Sequence, residues 1–188
     1  MTSSALYIGI MSGTSLDGID VVLTDFSQPF PALLHSLLVP YPAAIRSALA
    51  QISQPGDNEI ERLGLLEADL ADCYAEAVSQ LLQQSGYAAS QIQAIGCHGQ
   101  TIRHRPNGRQ PFSYQIGDMH RLAALTGIRV IADFRRKDIA FGGQGAPLVP
   151  AFHQAIFADP EPGRCILNIG GIANITLLVP HQAVQGFD

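Results

Sequence analysis

The chain has 188 residues, 47% of them hydrophobic and 14% charged, with a formal net charge of −5. This composition is typical of a globular protein with a buried core and excludes an intrinsically disordered chain. The acidic balance argues against a nucleic-acid partner. The apolar run near the start, Ala5–Met11, is too short to span a bilayer, and no basic signal segment precedes it. We therefore expect a soluble, cytoplasmic protein with no membrane partner.

The first pattern along the chain is a strand, a polar turn and a second strand. The apolar runs Ala5–Ile8 and Val21–Leu23 flank a stretch rich in Gly, Ser, Thr and Asp, Gly9–Asp20. Such a turn offers backbone N–H groups, hydroxyls and carboxylates that can hold phosphate oxygens and a hydrated metal ion. The same residues also make an ordinary hairpin loop, so the local pattern leaves both interpretations open.

Strands give way to helices in the next part of the chain. A third strand at Leu33–Val39 predicts an antiparallel meander, because the connections are short. A short helix is expected over Ala43–Ile52, followed by a long helix from about Glu59 to Gln84. Asp57 or Asn58 can cap its start and Gly86 its end. One apolar stripe runs along the long helix: Leu63, Leu66, Leu70, Tyr74, Ala77 and Leu81.

The second half alternates strands and helices and ends in another hairpin. A buried strand over Ile92–Cys97 is expected to end at the polar residues His98, Gln100 and Thr101. The later predicted elements are strands at Phe112–Ile116 and Ile128–Ala132, helices at Asp118–Thr126 and Leu148–Ala158, and hairpin strands at Cys165–Ile169 and Asn174–Val179.

Basic residues concentrate in one segment of this acidic protein. Eight of the eleven lie between Arg103 and Lys137, where only Asp118 and Asp133 oppose them. Ten of the eleven are Arg, whose guanidinium suits bidentate recognition of carboxylate or phosphate. A solvated face and an anionic ligand both explain such a segment, and we favour the ligand.

The three cysteines do not indicate a metal or catalytic site. Cys73, Cys97 and Cys165 are odd in number and far apart, without zinc-ligand spacing, so we expect reduced and mostly buried thiols. Cys97 precedes His98, but adjacent residues of a strand point to opposite faces.

The element order predicts the fold class. No G-x-G-x-x-G follows the first strand, and the chain has no Walker lysine motif. The order resembles the ribonuclease-H-like lobe of actin, the heat-shock chaperone ATPases and the hexokinases, which clamp ATP between two such lobes. We therefore predict an α/β fold, with a ribonuclease-H-like lobe and a mixed sheet over residues 1–160. Residues 161–188 are expected to open a second, similar lobe, and this analogy fixes no substrate.

Five blocks carry a closer resemblance to one family. They are, in chain order, Met11–Asp20, Gly96–Thr101, Ala132–Arg136, Gly142–His153 and Leu167–Asn174. Together they resemble anhydro-N-acetylmuramic acid kinases, whose chains are much longer. The resemblance covers that family's first lobe and the opening hairpin of its second lobe.

The resemblance implies an activity. The family converts 1,6-anhydro-N-acetylmuramic acid, ATP and water to N-acetylmuramic acid 6-phosphate in the recycling of cell-wall sugars. It implies ATP and Mg²⁺ as cofactors, the sugar as substrate, and the missing second lobe as a partner; we also expect a homodimer. Another sugar kinase or ATPase of the superfamily and a non-catalytic binding lobe stay open as alternatives.

The resemblance also implies which residues form the site. Asp188 would be the general base that activates water, and Asp17 or Asp20 would hold metal-bound water. Residues expected to bind the nucleotide are Gly13, Thr14, Ser15, Leu16, Asp17, Gly18, Ile19 and Asp20, opposed by Gly170 and Gly171. Residues expected near the sugar, with its lactyl carboxylate, are His98, Gln100, Thr101, Asp133, Arg135 and Arg136.

Overall fold

The computed structural model describes residues 5–169 and 173–187. The strands of this part are β1 (Leu6–Ser12), β2 (Ile19–Asp25), β3 (Ala32–Val39), β4 (Ile92–Arg105), β5 (Phe112–Ile116), β6 (Val130–Ile131), β7 (Arg164–Asn168), β8 (Asn174–Leu178) and β9 (Gln185–Phe187). Its α-helices are α1 (Ala43–Ile52), α2 (Glu59–Ser85), α3 (Met119–Thr126), α4 (Phe134–Ala140) and α5 (Pro150–Phe157).

The first sheet has six strands and contains both parallel and antiparallel pairs. Its order is β3-β2-β1-β4-β5, and β6 pairs with β4. The pairs β1–β2 and β2–β3 are antiparallel, which confirms the predicted meander. The strand β4 is parallel to β1, and β6 is parallel to β4. The parallel pairing of β1 with β4 is made by a crossover through α1 and α2, as parallel neighbours require. The predicted α/β class with a mixed sheet is therefore confirmed.

The long helix α2 supplies much of the core. Its predicted stripe is buried from Leu66 to Leu81, and Leu63 packs against the same cluster. The opposing apolar residues come from β1 and β2, where alternate side chains are buried. Gly86 ends the helix in the left-handed conformation, as expected. Within the described chain, no helix is both long and apolar enough to cross a membrane.

The start of α2 differs from the prediction. Asn58 occupies the cap position, but its side chain makes no capping hydrogen bond and its backbone is left-handed, with φ of 52°. The Glu59 carboxylate instead accepts the N–H of Gly56 at 2.8 Å, and it pairs with Arg103 at 3.0 Å. Ordering of the helix start therefore depends on a carboxylate inside the first turn rather than on a cap residue.

A separate three-stranded sheet, β7-β8-β9, forms near the end of the chain and contains the predicted late hairpin. The helix α5 packs against β8, where the buried His153 Nδ1 lies 2.9 Å from Thr176 Oγ1. The chain divides into two compact units, residues 1–104 with 114–133 and residues 105–113 with 134–188. These units do not coincide with the predicted division between residues 160 and 161, which stays a prediction about the lobes of the whole protein.

Several element bounds were predicted wrongly. The strand β4 continues to Arg105 because it also pairs with β5, so His98, Gln100 and Thr101 lie inside a strand and not at its end. The strand β6 contains two residues rather than five. The helix α4 and the strand β9 were not predicted; each is short, and so carries little periodic signal.

Replacing Leu70 by alanine should destabilise the first unit strongly. Leu70 is 0% exposed and central in the α2 stripe, so its removal leaves a cavity that costs about 2–5 kcal/mol. Leu65 lies on the same helix at 68% exposure, and Leu65→Ala should change the free energy of unfolding by less than about 0.5 kcal/mol. Urea unfolding followed by circular dichroism compares the two variants, and equal losses would contradict this assignment of the core.

Candidate functional site

The turn Gly13–Gly18 joins β1 to β2 and is closed by local hydrogen bonds. The N–H of Leu16 donates to the Gly13 carbonyl at 3.2 Å, and Leu16 has a positive φ of 56°. Asp17 Oδ1 accepts from Ser15 Oγ at 2.8 Å and from the Gly18 N–H at 3.1 Å. The side chains of Thr14, Ser15 and Asp17 are exposed. The turn is therefore an ordered loop that presents hydroxyls and a carboxylate to solvent.

Two carboxylates give the turn a negative charge. The Ser15 hydroxyl and backbone N–H groups lower the pKa of Asp17, which favours its ionised form. Partial burial, and secondarily the charge of Asp17, raises the pKa of Asp20. Within residues 5–169 and 173–187, no group of three or more His, Cys, Asp or Glu side chains could hold a metal. A cation at this turn would therefore be held by few protein ligands and several waters.

A buried hydroxyl pair joins the turn to the core. Ser12 Oγ donates to the Gly99 carbonyl at 3.1 Å and lies 2.9 Å from the hydroxyl of Tyr74. Serine has one hydrogen to give, and the carbonyl can only accept, so Tyr74 donates to Ser12. Both side chains are at most 1% exposed. The helix α2, the end of β1 and the middle of β4 are thus connected by two hydrogen bonds directly below the turn.

Gln100 makes a second buried connection. Its Nε2 donates to the Gly13 carbonyl at 3.1 Å, and its Oε1 accepts from the Tyr41 hydroxyl at 3.3 Å. Gln100 is 1% exposed, and Tyr41 is also buried. Burial raises the pKa of Tyr41 and, more strongly, that of Tyr74, so both phenols stay protonated and can donate. The contact of Gln100 with the sugar stays a prediction, but the structure directs its amide to the turn.

A β-bulge in β4 explains why Gln100 points inward. Ile10 pairs with Cys97 and Ser12 with Gln100, so β4 has one residue more than β1 over this interval. Gly99 has a positive φ of 73°, and a Cβ there would lie 2.8 Å from the Ile116 carbonyl. The bulge therefore needs glycine and reverses the alternation of β4, which buries Gln100 as well as Cys97.

His98 and Thr101 lie beside this network and are half-buried. His98 Nδ1 is 2.7 Å from the Gly99 carbonyl, which can only accept, so Nδ1 carries the hydrogen. Thr101 Oγ1 accepts from Gln115 Nε2 at 3.1 Å and keeps its own hydrogen for another acceptor. Both predicted sugar contacts therefore lie on β4, the strand that pairs with β1 just before the turn. Their roles stay predictions.

The packing of the protein's own chain around Gly18 leaves no room for a side chain there. A Cβ on Gly18 would lie 2.7 Å from the Val39 carbonyl and 2.9 Å from a Leu38 methyl. A Cβ on Gly13 would meet nothing closer than the Ser15 hydroxyl at 3.4 Å. The approach of β3 therefore explains the glycine at 18, and the contact of Gly18 with the nucleotide stays a prediction.

Several of the clustered basic residues are engaged within their own unit. Arg121 makes a two-bond ion pair with Asp72, and Arg103 pairs with Glu59. In the second unit, Arg135 donates to the Gly145 carbonyl, and Asp138 accepts the Gly145 N–H at 2.7 Å. Several arginines of the basic segment therefore make structural ion pairs or hydrogen bonds, which the composition alone does not indicate. Asp133 has a left-handed backbone, with φ of 60°, and Arg136 is exposed; their roles stay predictions.

The remaining predicted residues are not part of the described geometry. Gly170, Gly171 and Asp188 lie outside the described residues. The second unit has a pocket of about 300 Å³ between the end of α5 and the loop after β8, lined by Gln154, Asp159, Leu178, His181 and Val184 among others. None of the predicted site residues lines it.

Comparisons with known proteins identify the family. The model of a family described as anhydro-N-acetylmuramic acid kinase matches residues 5–188. The chain belongs to the anhydro-N-acetylmuramic acid kinase family. The kinase of that name from Saccharophagus degradans is 57% identical over 98% of this chain and 50% of its own length. Those from Haemophilus influenzae and Nitrosospira multiformis are 54% and 55% identical.

The similarity covers only part of the length of each relative. The chain spans about half the length of the curated relatives it matches, from 47% to 51%. Among solved structures, YeaZ from Pseudomonas aeruginosa aligns over 98% of this chain and 65% of its own, with a TM-score of 0.32 and 13% identity. A structural similarity at that level carries no argument about function.

Replacing Gly18 by alanine should destabilise the turn of this family member. The new Cβ would overlap the Val39 carbonyl, and such overpacking costs about 1–3 kcal/mol. Gly64 is the matched control, because a Cβ there meets nothing within 4 Å and alanine favours the helix by up to about 1 kcal/mol. Urea unfolding of both variants decides the point, and a Gly18→Ala protein as stable as the unmodified chain would refute the close approach of β3.

The cysteines should differ sharply in reactivity. Burial raises the pKa of Cys97 to about 12, so its thiolate is scarce at pH 8 and its sulfur is shielded. Cys165 is exposed, contrary to the expectation of mostly buried thiols. Iodoacetamide should alkylate Cys165 first, and peptide mass spectrometry would show Cys97 unmodified until the protein unfolds. Rapid labelling of Cys97 in the folded chain would contradict its burial.

Proposed function

We propose that this chain is the N-terminal part, with the first phosphate-binding turn, of an ATP-dependent kinase that opens 1,6-anhydro-N-acetylmuramic acid and phosphorylates it at O6. The match of the family model to residues 5–188 carries the proposal. The product is N-acetylmuramic acid 6-phosphate, an intermediate suited to the recycling of peptidoglycan sugars. The names of the relatives do not favour the alternatives of another sugar kinase or a non-catalytic lobe.

The Gly13–Gly18 turn is the part of the described chain best suited to phosphate. Thr14 and Ser15 expose hydroxyls, and Gln100 donates a hydrogen bond to the Gly13 carbonyl from the buried side of the loop. Backbone N–H groups and hydroxyls on an ordered loop are the donors that phosphate oxygens need. ATP supplies the phosphoryl group when it is bound. The residues of the turn hold and orient its phosphates, and Gly170 and Gly171 are proposed to oppose them.

The charge of the turn implies that the phosphates arrive with Mg²⁺. Asp17 and Asp20 would repel a bare triphosphate, because like charges at close range are unfavourable. A magnesium ion keeps several waters and needs only one or two carboxylates. Asp17 accepts both of the hydrogen bonds from Ser15 and Gly18 on Oδ1, so Oδ2 would serve as an acceptor for the water shell of the ion.

Opening the anhydro bridge requires a water and a base. The water attacks C1, the bond from C1 to the bridging oxygen breaks, and that oxygen, O6, takes the γ-phosphoryl group. We propose Asp188 as the base that receives the proton from the water, at the position given by the family motif that begins Gly186-Phe-Asp188. His98, Thr101, Asp133, Arg135 and Arg136 are the proposed sugar contacts. Gln100, the sixth residue predicted to contact the sugar, is buried beneath the turn.

The assay for this function traces the oxygen atom of water with an ¹⁸O label. Residues 1–188 are joined to the remaining half of the Saccharophagus degradans relative and supplied with Mg-ATP and the anhydro sugar in ¹⁸O water. The product should carry the label at C1 and none on phosphate, since water attacks carbon. Asp188→Asn should lower kcat by about 10²–10⁴-fold, the usual contribution of a general base.

Two controls decide between the proposal and its competitors. Asp57→Asn changes an exposed carboxylate before α2 and should leave kcat unchanged. Phosphorylation of ordinary N-acetylmuramic acid with none of the anhydro sugar would reject the activity. We further propose that the 188-residue chain alone binds nucleotide weakly, because a clamp must enclose its ligand from both sides.

A further inference from the structure

We propose that Gln100 is a positioning residue for the Gly13–Gly18 turn: its buried amide, oriented by Tyr41, holds the Gly13–Thr14 peptide so that the Thr14 N–H faces a phosphate oxygen. The ligand in this statement rests on the proposed function, whereas the positioning rests on hydrogen bonds within the first unit. Gln100 therefore acts through the backbone of the turn and not by contact with the sugar.

The Gly13 carbonyl is the atom that Gln100 controls. It accepts two hydrogen bonds, from Gln100 Nε2 at 3.1 Å and from the Leu16 N–H at 3.2 Å. A trans peptide is planar, and its C=O and N–H point in opposite directions. A carbonyl directed at the buried amide of Gln100 therefore directs the N–H of Thr14 away from the core. Rotation of this peptide would break both bonds and turn that donor inward.

The Gly13 carbonyl, which can only accept, and the Tyr41 hydroxyl together determine which end of the Gln100 amide faces the turn. The Tyr41 hydroxyl is protonated because burial raises its pKa, and it donates to Oε1 at 3.3 Å. The nitrogen is thereby left on the side of the Gly13 carbonyl. With the amide reversed, Oε1 would face the Gly13 carbonyl, acceptor against acceptor, and the hydrogen of the Tyr41 hydroxyl would lose its acceptor. The pair Tyr41–Gln100 thus has one satisfied arrangement.

The hydrogen-bonding groups of glutamine at position 100 fit a positioning role better than a role in general core packing. A buried amide costs free energy unless both of its ends are bonded, and a methionine of similar length would fill the space without that cost. A glutamate could accept from Tyr41 but, as a carboxylate, could not donate to Gly13. Glutamine supplies one acceptor and the donors that this site requires.

The test uses Gln100→Met and Tyr41→Phe, which remove hydrogen bonds and keep most of the volume. Hydrogen exchange of residues 13–18 is measured without nucleotide, and should be about tenfold faster in Gln100→Met and less so in Tyr41→Phe. Titration calorimetry with Mg-ATP should show about tenfold weaker binding. In the chimera described above, KM for ATP should rise while KM for the sugar stays constant.

Matched controls separate positioning from a loss of core stability. Gln93→Met makes the same substitution earlier in β4, and Tyr87→Phe removes a phenol beyond the end of α2; both should retain exchange and affinity. Normal exchange at residues 13–18 in Gln100→Met would overturn the proposal. Exchange that accelerates equally throughout β1 and β4 would also overturn it, because the residue would then be an ordinary part of the core.

Two further outcomes keep this inference distinct from the proposed function. If Gln100→Met does not fold, Tyr41→Phe, which lacks only one hydroxyl, decides the same question. If the unmodified chain and the chimera bind no Mg-ATP, the proposed function fails, and exchange at residues 13–18 still decides whether Gln100 positions the turn.

Discussion

The hydrogen bond from Tyr74 to Ser12 is the contact on which the candidate site depends. Tyr74 belongs to the apolar stripe of α2, so its position is set by the packing of the whole helix against the sheet. Its hydroxyl is the polar end of that stripe, and it meets the last residue of β1 immediately before the turn. Packing of the core and geometry of the turn are therefore not independent, because one side chain takes part in both.

Burying such polar groups costs free energy unless each of them is hydrogen-bonded. Ser12, Gln100 and the two phenols are removed from water, where each polar group had partners. One series of bonds runs from Tyr74 through Ser12 to the Gly99 carbonyl, and another runs from Tyr41 through Gln100 to the Gly13 carbonyl. The Tyr41 hydroxyl also interacts with the hydroxyls of Ser12 and Tyr74, so the two series belong to one buried network.

The sequence was sufficient to predict the regular elements that have a strong period or a clear terminator. The stripe of α2, the meander of β1 to β3 and the helix from Asp118 to Gly127 follow from such signals. Asp118 caps α3, since its side chain accepts the Arg121 N–H at 2.8 Å. The predictions that failed concern local features of a strand that depend on its pairing with strands distant in the sequence. The continuation of β4 depends on β5, and its bulge depends on register with β1, neither of which is encoded in a single window of sequence.

The same limit applies to the site residues. Alternation along the strand predicts that Cys97 and His98 point to opposite faces, and this prediction holds up to the bulge. Beyond Gly99 the alternation changes phase, so the side chain of Gln100, predicted to contact the sugar, is buried beneath the turn. A positive φ at a strand glycine is the physical cause, and a glycine inside a strand pattern is the signal that could have indicated it.

Glycine content alone is therefore a poor reason to assign phosphate binding to the first turn. Gly18 is required by the Val39 carbonyl and Gly99 by the Ile116 carbonyl, so both close approaches are made by the protein's own backbone. A hairpin that binds no ligand and pairs with a bulged strand could need the same two glycines. What such a hairpin would not need is a buried glutamine bonded to the turn carbonyl and oriented by a buried tyrosine. The polar network below the turn, rather than the glycines within it, is the structural feature that favours a functional loop.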